Sequence, residues 1–120
     1  MINSYKDLIV WQRSMELVVE VYKITDKFPK EELYGIISQM RRASVSIPSN
    51  IAEGRKRSTR KDFRQFLIIA YASASELETQ IEISKRLNFI DIDNYIETDA
   101  LLLETIKMLN KMISSLKPNT

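Results

Sequence analysis

The sequence contains no cysteine and no histidine. Disulfides are thereby excluded, together with the thiolate and imidazole ligands that hold most zinc, haem and iron–sulfur centres. The same absence removes the commonest general acid/base group and the strongest natural nucleophile from any catalytic scheme. Oxygen ligands from Asp and Glu remain, but no Asp-rich loop of the calcium-binding kind is present, so neither a metal nor a cofactor is expected. Glycine occurs only twice and proline three times in 120 residues, which leaves few places where the chain must turn. No apolar run approaches the roughly 20 residues of a membrane-spanning helix. Met1 to Lys6 is polar and leads into only a short apolar stretch, Leu8 to Trp11, a pattern unlike a signal peptide. The expectation is a cytoplasmic chain without a membrane partner.

What is present in quantity is charge, unevenly placed. Lys and Arg number 18 against 16 Asp and Glu, a net +2. Between Arg55 and Arg64 lie six cations (Arg55, Lys56, Arg57, Arg60, Lys61 and Arg64) and one carboxylate, Asp62, while the rest of the chain carries 12 positive and 15 negative residues. An almost neutral protein with one basic segment has one candidate edge for an anionic partner.

Between the few glycines and prolines, apolar residues recur at spacings of three and four, which predicts helices and no strands. The first runs from about Leu8 to Lys27, with Trp11, Met15, Val18 and Tyr22 on one stripe and Val10, Leu17, Val21 and Ile24 beside it. Pro29 ends it. The second is expected from near Glu31, with Leu33, Ile36, Ile37, Met40, Ala43, Ile47 and Ile51 inward, a kink at Pro48, and a stop near Gly54 to Arg57. Two short helices broken at Ser46 to Ser49 are the alternative. Thr59 and Asp62 have capping-box spacing for a third helix, which Asn88 terminates, and Asp91 is placed to cap a fourth that carries Leu102, Ile106, Leu109, Ile113 and Leu116. Four amphipathic helices with short connections predict one all-α domain, an up-and-down antiparallel four-helix bundle over residues 1–120.

Two helices have a second face that such a bundle does not need. Opposite the inward stripe of the second helix lie Gly35, Arg42, Ser46, Ser49 and Glu53; opposite that of the third lie Ala72 and Ile83, with Ile69, Glu76 and Leu87 nearby. Surplus small and apolar faces suggest a homo-oligomer that buries them. Alternatively, they only widen the core stripe.

Several segments together resemble one family, the 23S ribosomal RNA intervening-sequence proteins, also called four-helix bundle proteins. They are Tyr5-Lys6-Asp7-Leu8-Ile9-Val10-Trp11-Gln12, Phe28-Pro29, Glu32-Leu33-Tyr34-Gly35, Gln39-Met40-Arg41-Arg42-Ala43, Ser46-Ile47-Pro48-Ser49-Asn50-Ile51-Ala52-Glu53-Gly54, Phe66-Leu67 and Glu76-Leu77-Glu78-Thr79. The resemblance implies a left-handed bundle, and a homo-oligomeric pentamer by likeness to ring-forming relatives. It implies a bacterial protein of unknown function. Accessory proteins of diversity-generating retroelements resemble it in fold and are basic rings that bind nucleic acid and a reverse transcriptase, an analogy of fold alone. One departure is Tyr71-Ala72-Ser73, where the family usually has a basic residue, glycine and serine.

Three function classes follow. The first is binding of RNA or DNA phosphates through Arg55, Lys56, Arg57, Arg60, Lys61 and Arg64, with Arg41 and Arg42 as contributors. The plain alternative for that run is a solvated loop and helix start. The second class is a protein-binding adaptor or structural ring. The third, an enzyme, has little to stand on: Ser44 to Ser49 shows no nucleophile motif, and Glu76 and Glu78 diverge by about 200° around a helix. Trp11, Tyr22, Phe63 and Phe66 are expected inside, leaving Tyr5, Tyr34 and Tyr71 as the aromatics free to stack on a base.

Overall fold

The computed structural model describes residues 4–118. Four helices account for most of them: α1 (Ile9–Thr25), α2 (Ser38–Arg55), α3 (Arg60–Arg86) and α4 (Ile96–Ser115). Each helix packs on its neighbours in the chain, and α1 closes the square against α4. Side-chain bonds between helices fix the directions. Thr25 meets Arg41 and Ser46 meets Ser73, while Lys85 meets Asp99 and Arg13 meets Glu104. Thr25 ends α1 and Arg41 lies near the start of α2, Gly54 near the end of α2 lies against Phe66 near the start of α3, and Lys85 ends α3 opposite Asp99 near the start of α4, so the bundle is up-and-down and antiparallel.

The inward positions are those that a 3.6-residue repeat aligns. Leu17 and Val21 of α1, Met40, Ile47 and Ile51 of α2, Leu67 and Leu77 of α3 and Leu109 of α4 are wholly buried. Each such side chain removed from water contributes roughly 1.5–3 kcal/mol before the entropy of ordering is set against it. On α1 the stripe that faces the core is Val10, Leu17, Val21 and Ile24; Met15 and Tyr22 of the neighbouring stripe stay exposed. A helix touching two others directs its core arc between them, and Met15 and Tyr22 fall outside that arc.

Helix ends explain where expectation and structure part. The Thr59 hydroxyl accepts the Asp62 amide at 3.1 Å and starts α3 as its sequence indicates. Asn88, the one non-glycine residue of positive φ among those described (56°), ends it. The Phe89 amide reaches the Ser84 carbonyl and the Asn88 amide that of Lys85, the paired bonds of a Schellman end. The second helix starts later than expected. Lys30–Glu32 forms a tight turn and Leu33–Ile37 a wide one, interrupted at Gly35 by non-helical torsions (φ −110°, ψ −117°), and regular α-helix begins at Ser38. Leu33, expected inside, is exposed in consequence. Asp91 precedes a short turn, Ile92–Tyr95, rather than α4, and makes no side-chain cap. α2 continues through Pro48 as one helix, so the two-helix alternative does not form.

Buried polar groups tie the helices where apolar packing cannot. Thr25 Oγ1 donates to the Val21 carbonyl (2.7 Å) and accepts from Arg41 Nε (3.0 Å). The Tyr95 hydroxyl, wholly buried, shares a hydrogen with Ser84 Oγ at 2.8 Å. Burial holds the Tyr95 phenol above its ordinary pKa, because a phenolate there would lose its hydration. No helix among the described residues is long and apolar enough to cross a membrane.

Candidate nucleic-acid interface

The basic segment sits where α2 hands over to α3, and a glycine makes that corner close. Gly54 is buried inside α2, and a Cβ there would lie 2.7 Å from Phe66 Cβ and 3.1 Å from Phe63 Cδ1. Only a residue without a side chain lets the end of α2 touch the first turns of α3. α2 ends at Arg55, within the expected Gly54 to Arg57, and Gly54 in its last turn makes this contact. The cations on either side are thereby gathered at one end of the bundle.

Most of those cations already have partners in the fold. Arg57 Nη2 pairs with Glu53 Oε1 at 2.8 Å, and its guanidinium lies 4.8 Å from the centre of the Phe66 ring. Lys56 Nζ lies 5.3 Å from the Tyr5 ring centre, and Tyr5 in turn meets Trp11 edge-on. Arg60 Nη2 donates to the Ser115 carbonyl at 3.0 Å, and Arg64 Nε to the Ile113 carbonyl at 3.0 Å. Arg55 is half-buried. Lys61 is exposed and makes no side-chain bond to the described residues.

The two α4 contacts have a clear physical cause. A helix leaves its last four carbonyls without intrahelical partners and carries partial negative charge there. At the end of α4 the Met112 and Ser114 carbonyls receive the amides of Leu116 and Lys117, and those of Ile113 and Ser115 receive the two arginines. Arg60 and Arg64, four apart on one helix face, would repel unless something anionic lay between them. In this fold the terminus of α4 is that group, which the spacing of the arginines alone does not reveal. Each arginine keeps further N–H donors beyond the one bonded here, so the edge remains cationic.

The residues expected at an oligomer interface divide. Arg42, Ser46 and Glu76 line one groove between α2 and α3 with Gln39, Ala43 and Ser73. Across its floor Ser46 and Ser73 hydroxyls meet at 2.8 Å, and Asn50 Nδ2 donates to Ser46 Oγ at 2.9 Å. Ser49 and Ala72 are exposed. Glu53 is occupied by Arg57, Gly35 lies before α2 in the wide turn, and Ile83 is 44% exposed. Exposed apolar side chains also occur at Val19, Ile96 and Leu103.

Two aromatic expectations change. Tyr22, expected inside, is exposed and carries the Arg41 guanidinium 4.5 Å from its ring centre. Tyr71, expected free, packs on the core, whereas Tyr34 is 94% exposed. Within the Ser44 to Ser49 stretch, Ser44 is buried and its Oγ donates to the Arg41 carbonyl at 2.8 Å. Among the described residues no cluster of carboxylates could hold a metal ion.

The family model for 23S rRNA-intervening sequence proteins matches residues 6–111. Among solved structures, the chain is similar to a crystal structure of a protein with unknown function from the S23 ribosomal protein family of Bacteroides thetaiotaomicron. The two are 26% identical, with a TM-score of 0.81 over 88% of this chain and 98% of that one. None of the curated proteins matches the chain.

Proposed function

Since the chain belongs to the 23S rRNA-intervening sequence protein family, whose solved relative is itself described as of unknown function, we propose that it is a non-enzymatic binding protein. It self-associates and holds the phosphate backbone of RNA or DNA on the corner formed by the end of α2 and the start of α3. The observation that carries this reading is the concentration of six cations and one carboxylate between Arg55 and Arg64 at a corner closed by Gly54.

Lys61, exposed and without a partner among the described residues, and Lys56, exposed beside the Tyr5 ring, supply the accessible ammonium groups; Arg60 and Arg64 supply guanidinium groups oriented by α4. Backbone contacts of this kind give affinity without sequence preference. A homo-oligomer, a pentamer by likeness to the ring-forming relatives, would repeat the corner and multiply a modest single-site affinity. The groove holding Arg42, Ser46 and Glu76 and the exposed Ile83 are the surfaces proposed to be buried between copies.

A protein-binding adaptor or structural ring is favoured by a different observation, that Arg57, Arg60 and Arg64 are engaged within the fold. Purification without nuclease, followed by light scattering and the ultraviolet absorbance ratio, tests both halves of the proposal at once. The expected result is a multimer carrying nucleic acid that is lost when Lys56 and Lys61 are replaced by Ala. A multimer free of nucleic acid would leave the adaptor reading.

A further inference from the structure

We propose that a second site, in the cleft between the end of α1 and the start of α2, binds an unpaired nucleotide by stacking its base on Tyr34 and pairing its phosphate with Arg41. It goes beyond the backbone reading above and uses none of the residues of the basic corner. Arg41 and Arg55 mark the two regions on α2, and the rise of the intervening turns separates them by about 20 Å.

The cleft is a hollow of about 520 Å³ open to solvent, and Tyr22, Tyr34, Arg41, Arg42, Leu33 and Val45 are among the residues that line it. That volume lies within the range of small-molecule sites. No carboxylate lines it. Two adjoining hollows add Lys23, Lys30 and a single carboxylate, Asp26. The cleft therefore selects an anion.

The aromatic rings narrow the choice of anion. Tyr34, at 94% exposure, has almost nothing of the protein against it. Tyr22 has its ring covered by Arg41, whose guanidinium is held in place by the bond from Nε to Thr25 Oγ1. Arg41 bonds through Nε, and its Nη groups bond to no described residue. A flat apolar ring linked to a phosphate satisfies both features, and that is a nucleotide with its base out of a helix. A fully paired duplex hides its base faces and should gain nothing here.

The test is the affinity of the full chain for fluorescein-labelled oligoadenylate and for a blunt RNA duplex of the same length. Tyr34→Ala should weaken oligoadenylate binding roughly tenfold, within the contribution of one base–aromatic stack, and leave the duplex unchanged. Tyr34→Phe, which keeps the ring, should retain the affinity. Lys56→Ala with Lys61→Ala should weaken both probes, through the other site. A wild-type chain that binds oligoadenylate but not the duplex, with an affinity that Lys56→Ala and Lys61→Ala leave unchanged, would refute the basic corner and leave the cleft standing. The cleft proposal fails if Tyr34→Ala lowers both affinities equally, if it lowers neither, or if wild type ignores oligoadenylate. It also fails if Tyr34→Ala reduces the size of an oligomer in light scattering, because a second copy would then cover the cleft.

Discussion

Replacing Arg60 and Arg64 together by Ala should destabilise the protein in the absence of any ligand, because these arginines complete the end of α4. Arg64 is half-buried and donates to Ile113; Arg60 is exposed and donates to Ser115. A cation at a helix C-terminus contributes about 0.3–1 kcal/mol, and a hydrogen bond from a charged group up to about 1.5–3 kcal/mol when shielded from water. Exposure discounts Arg60 to about 0.5 kcal/mol, and partial burial leaves Arg64 about 1.5 kcal/mol. Both act on one helix end, so about 2 kcal/mol is an upper bound for the pair. With a urea slope of roughly 2 kcal/mol per molar, the unfolding midpoint should fall by about 1 M. All variants need one fixed protein concentration, since self-association would itself shift the midpoint. Lys61→Ala is the control, and should move the midpoint by less than about 0.25 M, as surface substitutions without partners do. Amide exchange should accelerate at Leu116 and Lys117 in the double variant, where the amides share that helix end. An unchanged midpoint with unchanged exchange would refute the capping account and return both arginines to ligand binding alone.

Gly54→Ala should destabilise, even though Ala is the better helix former by about 1 kcal/mol. The added carbon would sit 2.7 Å from Phe66 Cβ, which is no flexible side-chain end, and overpacking of that kind costs about 1–3 kcal/mol. A higher urea midpoint for Gly54→Ala would contradict the close corner. Tyr95 gives the chain an alkaline limit. Its folded pKa is raised above 10.0 by burial, so the unfolded chain loses that proton first and stability falls as pH rises beyond about 10. Tyr95→Phe should flatten this loss relative to wild type in melts across the alkaline range; equal slopes would refute it.

The helical class and the square of four helices were readable from spacing alone, and so were the Thr59 cap and the Asn88 terminator, because each depends on residues within one turn. The start of α2 was not. Leu33, Ile36 and Ile37 continue a helical spacing through a turn that Gly35 breaks, and periodicity does not register backbone torsions. The choice of inward stripe on α1 depended on which two helices flank it, a tertiary fact. The same holds for the basic segment. Its charge was plain in the sequence, but the sequence places Arg64 and Ile113 49 positions apart, and only the antiparallel packing of α3 on α4 joins them. The Tyr22–Arg41 stack arises in the same way, from two helices whose facing sides were both assigned to other purposes.

The dependence of RNA affinity on salt tests the central claim most directly. If each protomer neutralises about four phosphates, the logarithm of the association constant should fall with the logarithm of salt concentration with a slope near −3 for a single strand. Replacing Lys56 and Lys61 by Ala should make that slope shallower by roughly 1 to 1.5. Binding that is absent, or that does not change with salt, would contradict a phosphate-binding corner and leave the family's bundle as a structural or protein-binding unit.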